Sequence, residues 1–125
     1  MRKTLLLMTL ACTSWQAAVA ETPPQALPLQ TALKSALVQD ADGFKSAYSL
    51  RILQEEKAKG SDWKKLVQEG HKNMTKMFGN YEMGQFEYSF QGTGQSGSVS
   101  CSFKGKKAFA LKVVHEKTGW KLNER

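Results

Sequence analysis

Four short segments between residues 86 and 122 alternate apolar and polar side chains, and this alternation constrains the fold more than any other feature of the chain. Their apolar members are Phe86, Tyr88, Phe90, Val99, Cys101, Phe103, Phe109, Leu111, Val113, Trp120 and Leu122. A period of two is typical of a strand with one buried face. The glycine-containing loops between the segments are too short for parallel crossovers, so neighbouring strands run antiparallel. We predict a four-stranded antiparallel meander whose aromatic face is covered by the first half of the chain.

The clearest covering element is a helix that begins near Trp63. Its apolar residues fall at helical spacing and are Trp63, Leu66, Val67, Gly70, Met74, Met77 and Phe78. Ser61 is the expected cap of this helix and Gly79 its expected end. Gly70 lies on the apolar face, which predicts a close approach of the helix backbone to the sheet.

The segment before this helix predicts two shorter helices. Thr31 caps the first, and the second begins at Asp42 and carries Phe44 and Tyr48 inward. Gly43 favours a break between them, and one continuous bent helix is the alternative. Residues 50–59 fit a helix or a short strand, and Gly84 is expected to form a bulge before the first strand.

The amino terminus has the pattern of a secretory signal peptide. Arg2 and Lys3 precede a short apolar run, and small residues at Ala18 and Ala20 predict cleavage after Ala20. Lipidation at Cys12 is the alternative, although Thr9 stands where lipoprotein signals usually carry leucine. The predicted organisation is a signal peptide over residues 1–20, a proline-rich tether over 21–28 and one α+β domain over 29–125, with no segment long enough to span a bilayer.

Loss of the signal peptide lowers the formal net charge from +7 to +5 and concentrates the excess late in the chain. The predicted basic surface consists of Lys104, Lys106, Lys107, Lys112 and Lys121. Such a surface attracts an anionic envelope component or an acidic partner protein. Lysines also protect exposed strand edges from pairing, and this second interpretation stays open. Export and the lack of exposed aromatic residues interleaved with these lysines argue against nucleic acid as the partner.

Cysteine and histidine usage predicts no metal and no cofactor. Cys12 leaves with the signal peptide, so Cys101 is alone and its parity places it in the core. Two histidines on separate elements do not give metal-ligand spacing. The glycine-rich loop over residues 92–97 joins strand to strand and is a hairpin loop rather than a phosphate cradle.

The order of elements resembles the nuclear transport factor 2-like, or cystatin-like α+β, superfamily, and in particular its small exported bacterial members. The resemblance rests on the helix with Phe44 and Tyr48, the Trp63 helix ending at Gly79, and the segments 104–111 and 119–122. It implies a curved sheet that wraps the long helix and leaves a pocket at the open end of a cone. It also implies a choice among isomerases, dehydratases, ligand binders and interaction domains, because one fold hosts many functions.

Within such a cone, proton transfer needs a carboxylate or histidine near a polarising tyrosine. The candidate catalytic residues are Asp40, His115 and Tyr88, and the candidate pocket residues are Tyr48, Trp63, Tyr88 and His115. Structural roles explain the same residues: Asp40 as a helix-end residue, His115 at a strand end and the tyrosines as core. We therefore predict a non-enzymatic exported binding or interaction module, with a small acid/base isomerase or dehydratase as the alternative and a sheet-mediated homodimer as a further hypothesis.

Overall fold

The computed structural model describes residues 22–125 and has helices followed by a four-stranded antiparallel sheet, the predicted α+β class. The helices are α1 (Leu27–Val38), α2 (Ala41–Ser46), α3 (Leu50–Ala58) and α4 (Trp63–Phe78). The strands are β1 (Phe86–Gly92), β2 (Ser96–Phe103), β3 (Lys106–Glu116) and β4 (Gly119–Leu122). Short 3-10 helices, Pro24–Ala26 and Met83–Gln85, precede α1 and β1. The predicted signal peptide lies outside the described residues.

The sheet confirms the alternation that predicted it. Its strand order is β1-β2-β3-β4, and Phe86 pairs with Phe103, Val99 with Leu111 and Val113 with Leu122. Hence the apolar residues of all four strands share one face, on which Cys101 is fully buried. The expected bulge at Gly84 was wrong: Glu82 and Gln85 form a capping box around a 3-10 turn, which resets the strand parity without a bulge. A register shift occurs instead between β2 and β3, at Cys101 and Ser102.

The helix count is larger than predicted because residues 50–58 of the undecided segment form α3. The Ser49 hydroxyl caps this helix by accepting a hydrogen bond from the Ile52 amide at 3.3 Å. Residues 24–28, predicted as an extended tether, are helical. Proline is tolerated in the first turn of a helix, where its missing N–H would have no intrahelical partner.

The break between α1 and α2 is confirmed, but its residues differ from the prediction. Gln39 adopts a left-handed conformation (φ 56°) that ends α1, and Asp40 rather than Asp42 caps α2 by accepting from the Gly43 amide at 3.1 Å. Gly43 lies inside α2, where a Cβ atom would come within 2.5 Å of Ser35 Oγ. Its role is therefore to let α2 pack closely on α1, not to separate the helices.

α4 follows its prediction and ends at Gly79, although Asp62 caps it in place of Ser61. The Asp62 carboxylate accepts from the Lys64 amide at 3.0 Å, while the Ser61 hydroxyl donates to Glu56. The predicted approach of Gly70 to the sheet was wrong. A Cβ atom there would lie 3.3 Å from the Phe44 ring, so Gly70 permits close packing on α2.

The sheet is curved enough to bring its two edge strands together at one end. Three strand spacings of about 4.8 Å would separate β1 from β4 by about 14 Å in a flat sheet. The rings of Phe90 on β1 and Trp120 on β4 nevertheless lie 5.5 Å apart, and the 3-10 helix Pro24–Ala26 packs against both strands. Ala26 is fully buried there. This end of the molecule is closed.

Candidate functional site

A cleft of about 350 Å³ lies between α1, α4 and the strands β3 and β4. Its apolar lining is supplied by Leu29, Ala32, Leu33, Ala36, Phe44, Leu66, Met74, Met77, Phe109, Leu111 and Leu122. This volume falls in the range of small-molecule pockets, which are usually lined by apolar side chains with a few polar groups. The cleft therefore has the size and composition of a ligand site.

The cleft is deep on the α1 side and open on the α4 side. Leu33 and Ala36 of α1 are each 2% exposed, while Met77 at the end of α4 is 53% exposed. Phe109 and Leu111 of β3 are half-buried. The mouth of the cleft thus lies between the last turn of α4 and the half of β3 that contains Phe109 and Leu111. It is opposite the closed end formed by Phe90 and Trp120.

Four polar residues line the cleft: Tyr48, Asn73, Glu124 and Arg125. The Glu124 carboxylate accepts a hydrogen bond from the Lys112 amide at 2.7 Å, so one acid of the rim already binds the sheet backbone. Burial raises the pKa of Tyr48 to about 12, an effect that nearby Arg125 partly offsets, so its hydroxyl is neutral at physiological pH. The polar lining consequently offers one guanidinium and neutral donors to a ligand.

Arg125 is held at the rim by the buried carboxylate of Glu56. Glu56 is 4% exposed and accepts from the Ser61 hydroxyl at 2.6 Å, from Arg125 Nε at 3.3 Å and from Lys59 Nζ at 3.4 Å. The Ser61 hydrogen bond is the main cause that lowers the pKa of Glu56 below its usual range, with Arg125 and Lys59 adding to it against the cost of burial. This ionised group fixes the last residues of the chain against α3.

Of the four predicted pocket residues, Tyr48 lines the cleft and the other three do not. The Trp63 ring lies behind Tyr48, with the two ring centroids 5.6 Å apart, and also contacts Phe44. His115 is exposed and its ring lies 5.2 Å from that of Trp120. Trp63 therefore supports one wall of the cleft, whereas His115 belongs to the closed end.

The three candidate catalytic residues lie apart. Asp40 is exposed and engaged in capping α2. Tyr88 is in register with Cys101, which is opposite Phe109, and His115 is six residues further along β3. At about 3.3 Å per residue this separation is about 20 Å, too far for a shared proton transfer.

The Tyr88 hydroxyl is buried and has no hydrogen-bond partner within residues 22–125. Burial raises its pKa, and the neighbouring Cys101 raises it further. The Cys101 thiol is itself buried, which raises its pKa to about 11. Both groups are therefore neutral parts of the core rather than lining of the cleft.

The five lysines of the predicted basic surface fall into separate places. Lys104, Lys106 and Lys107 are exposed around the β2–β3 turn, and the Lys104 ammonium lies 5.3 Å from the centroid of the Phe103 ring. Lys112 is exposed in the middle of β3. Lys121 instead donates to the Ser46 carbonyl at 2.9 Å, at the other edge of the molecule. The structure thus clusters three of the five at one hairpin.

The described part of the chain contains no group of three or more His, Cys, Asp or Glu side chains arranged to hold a metal ion. Within residues 22–125, no helix combines the length and apolar character that a membrane-spanning segment requires.

Sequence reasoning missed four residues of the open cleft: Asn73, Met77, Glu124 and Arg125. Met77 was predicted only as part of the apolar face of α4, and helical spacing does not distinguish a buried position from one at a cleft mouth. Glu124 and Arg125 come after the last alternating residue, so no periodicity places them. Comparisons with protein-family models, with curated proteins and with solved structures found no match to this chain.

Proposed function

We propose that this protein is a non-enzymatic exported binding module that holds a small apolar ligand in the cleft between α1, α4 and the sheet. The observation that carries the proposal is the open, apolar cleft of about 350 Å³ with a single guanidinium at its rim. A soluble protein that leaves such a cavity uncovered loses the packing free energy that its apolar walls would otherwise gain, so the cavity needs a function to explain it.

The proposed ligand is mostly apolar, with at most one acidic or polar group. Eleven of the lining residues are apolar, and Arg125 is the basic residue among the rest. Part of its charge is compensated by Glu56 at 3.3 Å, so the guanidinium directs the orientation of a ligand more than it supplies affinity.

Export is part of the same proposal and rests on the amino-terminal pattern of residues 1–20. Likewise, the resemblance to nuclear transport factor 2-like proteins supports a pocket between the long helix and the sheet. Amino-terminal sequencing of the protein recovered from the periplasm tests the export step, with Glu21 as the expected first residue and Met1 as the result that would reject it.

Titration with Nile red, an uncharged apolar dye, tests the binding proposal. Met77→Trp fills the mouth of the cleft and is expected to weaken dye binding about tenfold. Val38→Trp is the matched control, since Val38 is 65% exposed on α1 and does not line the cleft. Both variants should keep the thermal midpoint of the parent. Equal dye binding by both variants would reject the cleft as the binding site.

A further inference from the structure

The free half of β3 borders the mouth of the cleft. β4 pairs with β3 only between Val113 and Glu116. The Asn123 amide adds one hydrogen bond to the Lys112 carbonyl, after which Arg125 turns toward Glu56 on α3. Within the described part of the chain, no strand pairs with the outer edge of residues 106–111.

In this free half of β3, alternate residues direct their backbone amide and carbonyl away from β2. The Lys112 carbonyl accepts from Asn123 and its amide donates to the Glu124 carboxylate, so Lys112 faces the β4 side of the strand. Alternate residues of an antiparallel strand face the same neighbour. The amide and carbonyl of Ala110 therefore also face this side, and within residues 22–125 no group accepts the Ala110 amide.

The side chains around this edge carry positive charge. Lys106 and Lys107 are exposed at its start and Lys112 at its end. Arg125 lines the adjoining cleft, and the one acid there, Glu124, is engaged by the Lys112 amide. The edge thus combines unsatisfied backbone groups, an apolar cleft and a basic border.

We infer that residues 106–111 form a docking edge for an extended acidic peptide of a partner protein, which adds a strand to β3 in line with β4. Backbone hydrogen bonds to Ala110 give the affinity, as in other cases of strand addition. Alternate side chains of the peptide fall on the same face as Phe109 and Leu111 and cover the cleft mouth. The strand addition requires no small molecule inside the cleft.

Charge selects the acidic peptide over a second copy of this chain. Antiparallel pairing of two free halves would place Lys106 and Lys107 of one copy near Lys112 of the other, and like charges across a strand pair are destabilising. β1, the other edge strand, carries Glu87 and does not line the cleft. The β3 edge is therefore the better match to an acidic segment.

Fluorescence polarisation with a labelled octapeptide of alternating glutamate and valine tests this inference. Its lysine counterpart should bind at least about tenfold more weakly. Ala110→Pro removes the outward amide at an edge position where proline is tolerated, and should weaken binding by about tenfold. The matched control Ala110→Ser keeps the amide and should bind like the parent. The double variant Lys106→Glu, Lys107→Glu should lose binding, while Lys117→Glu, at the opposite end of β3, should not.

Several results would overturn the docking edge. These are equal affinity for the two peptides, unchanged binding by Ala110→Pro, or a dimer in sedimentation that Ala110→Pro dissociates. If Ala110→Pro does not fold, N-methylation of the peptide gives the same test from the peptide side. Methylation of the alternate amides that face β3 should abolish binding, and methylation of the amides that face away from β3 should not. Nile red binding should survive in Ala110→Pro, so failure of the peptide test and failure of the cleft proposal are distinguishable.

Discussion

The two halves of β3 have the same alternation but opposite surroundings. In the second half, Val113 is buried opposite Leu122, and β4 supplies the backbone partners. In the first half, Phe109 and Leu111 are half-buried, line a cleft and have an unpaired outer edge. One strand thus belongs to the core on one side of Lys112 and lines an open cleft on the other.

The difference arises from the short length of β4 and from the path of the chain after Leu122. β4 has four residues, and the chain then leaves the sheet because Arg125 pairs with Glu56 and Arg51 donates to the Asn123 carbonyl. The Glu124 carboxylate satisfies the Lys112 amide at the point where the strand ends. The cleft therefore lies where β4 ends short of the first half of β3.

Alanine substitutions at Leu122 and at Leu111 should give the largest difference in the free energy of unfolding. Leu122→Ala is expected to cost about 3 kcal/mol, because Leu122 is fully buried at the inner wall of the cleft and its truncation enlarges the cavity there. Leu111→Ala should cost about 1 kcal/mol, since its side chain already faces open space. Urea unfolding measures both, with the exposed Val38→Ala as control. Equal losses of unfolding free energy in the two variants would mean that Leu111 is packed as tightly as Leu122, which contradicts an open cleft.

Ser49→Ala should have the next largest effect, because one hydroxyl joins α3 to the end of β4. It donates to Asn123 Oδ1 at 2.7 Å and accepts from the Ile52 amide, and Ser49 is 1% exposed. Loss of both hydrogen bonds should cost about 1–2 kcal/mol. Ser46→Ala is the matched control, since its hydroxyl bonds only within α2 at the surface. A cost no larger than that of the control would contradict this role.

Glu56→Gln tests whether the ionised carboxylate that holds Arg125 away from β3 stabilises the fold, because its effect on stability should depend on pH. The pKa of Glu56 is lowered in the folded protein, so its stabilising effect is complete above the usual value of 4.5 and is lost as pH falls through the folded pKa. The thermal midpoint of the variant should be lower by roughly 5 °C at pH 7, and the gap should close as the pH falls below 4.5. The exposed Glu55→Gln is the control. A gap in thermal midpoint that stays the same from pH 7 down to the lowest pH at which the protein is folded would contradict an ionised anchor.

Sequence patterns predicted the repetitive parts of this fold. The alternation of Phe86, Val99 and Phe109 with polar residues indicated the strands, and the apolar spacing of α4 indicated its length. Single capping residues were harder, because Thr31, Asp42 and Ser61 fit the same composition rule as the caps that form. α3 was undecided because its polar half, residues 54–57, has no period of its own.

The cleft was predicted less well than the fold. Tyr48 lines the cleft, but it follows α2 and forms an isolated bridge with Leu122 rather than continuing the helix. His115 lies beside Trp120 and outside the cleft, since strand parity fixes the face of a sheet but not the position along the strand. Arg125 and Glu124 depend on a tertiary contact with Glu56 and on the end of β4, neither of which leaves a pattern in the sequence.

Residue-resolved amide hydrogen exchange along β3 tests the unpaired edge most directly. Ala110 and Val114 lie on the same strand with the same outward direction, but only Val114 has a β4 partner, Lys121. We expect the Ala110 amide to exchange at least about a hundredfold faster than that of Val114, and to become protected when the acidic octapeptide is added. Equal protection of the two amides in the protein alone would contradict an open edge.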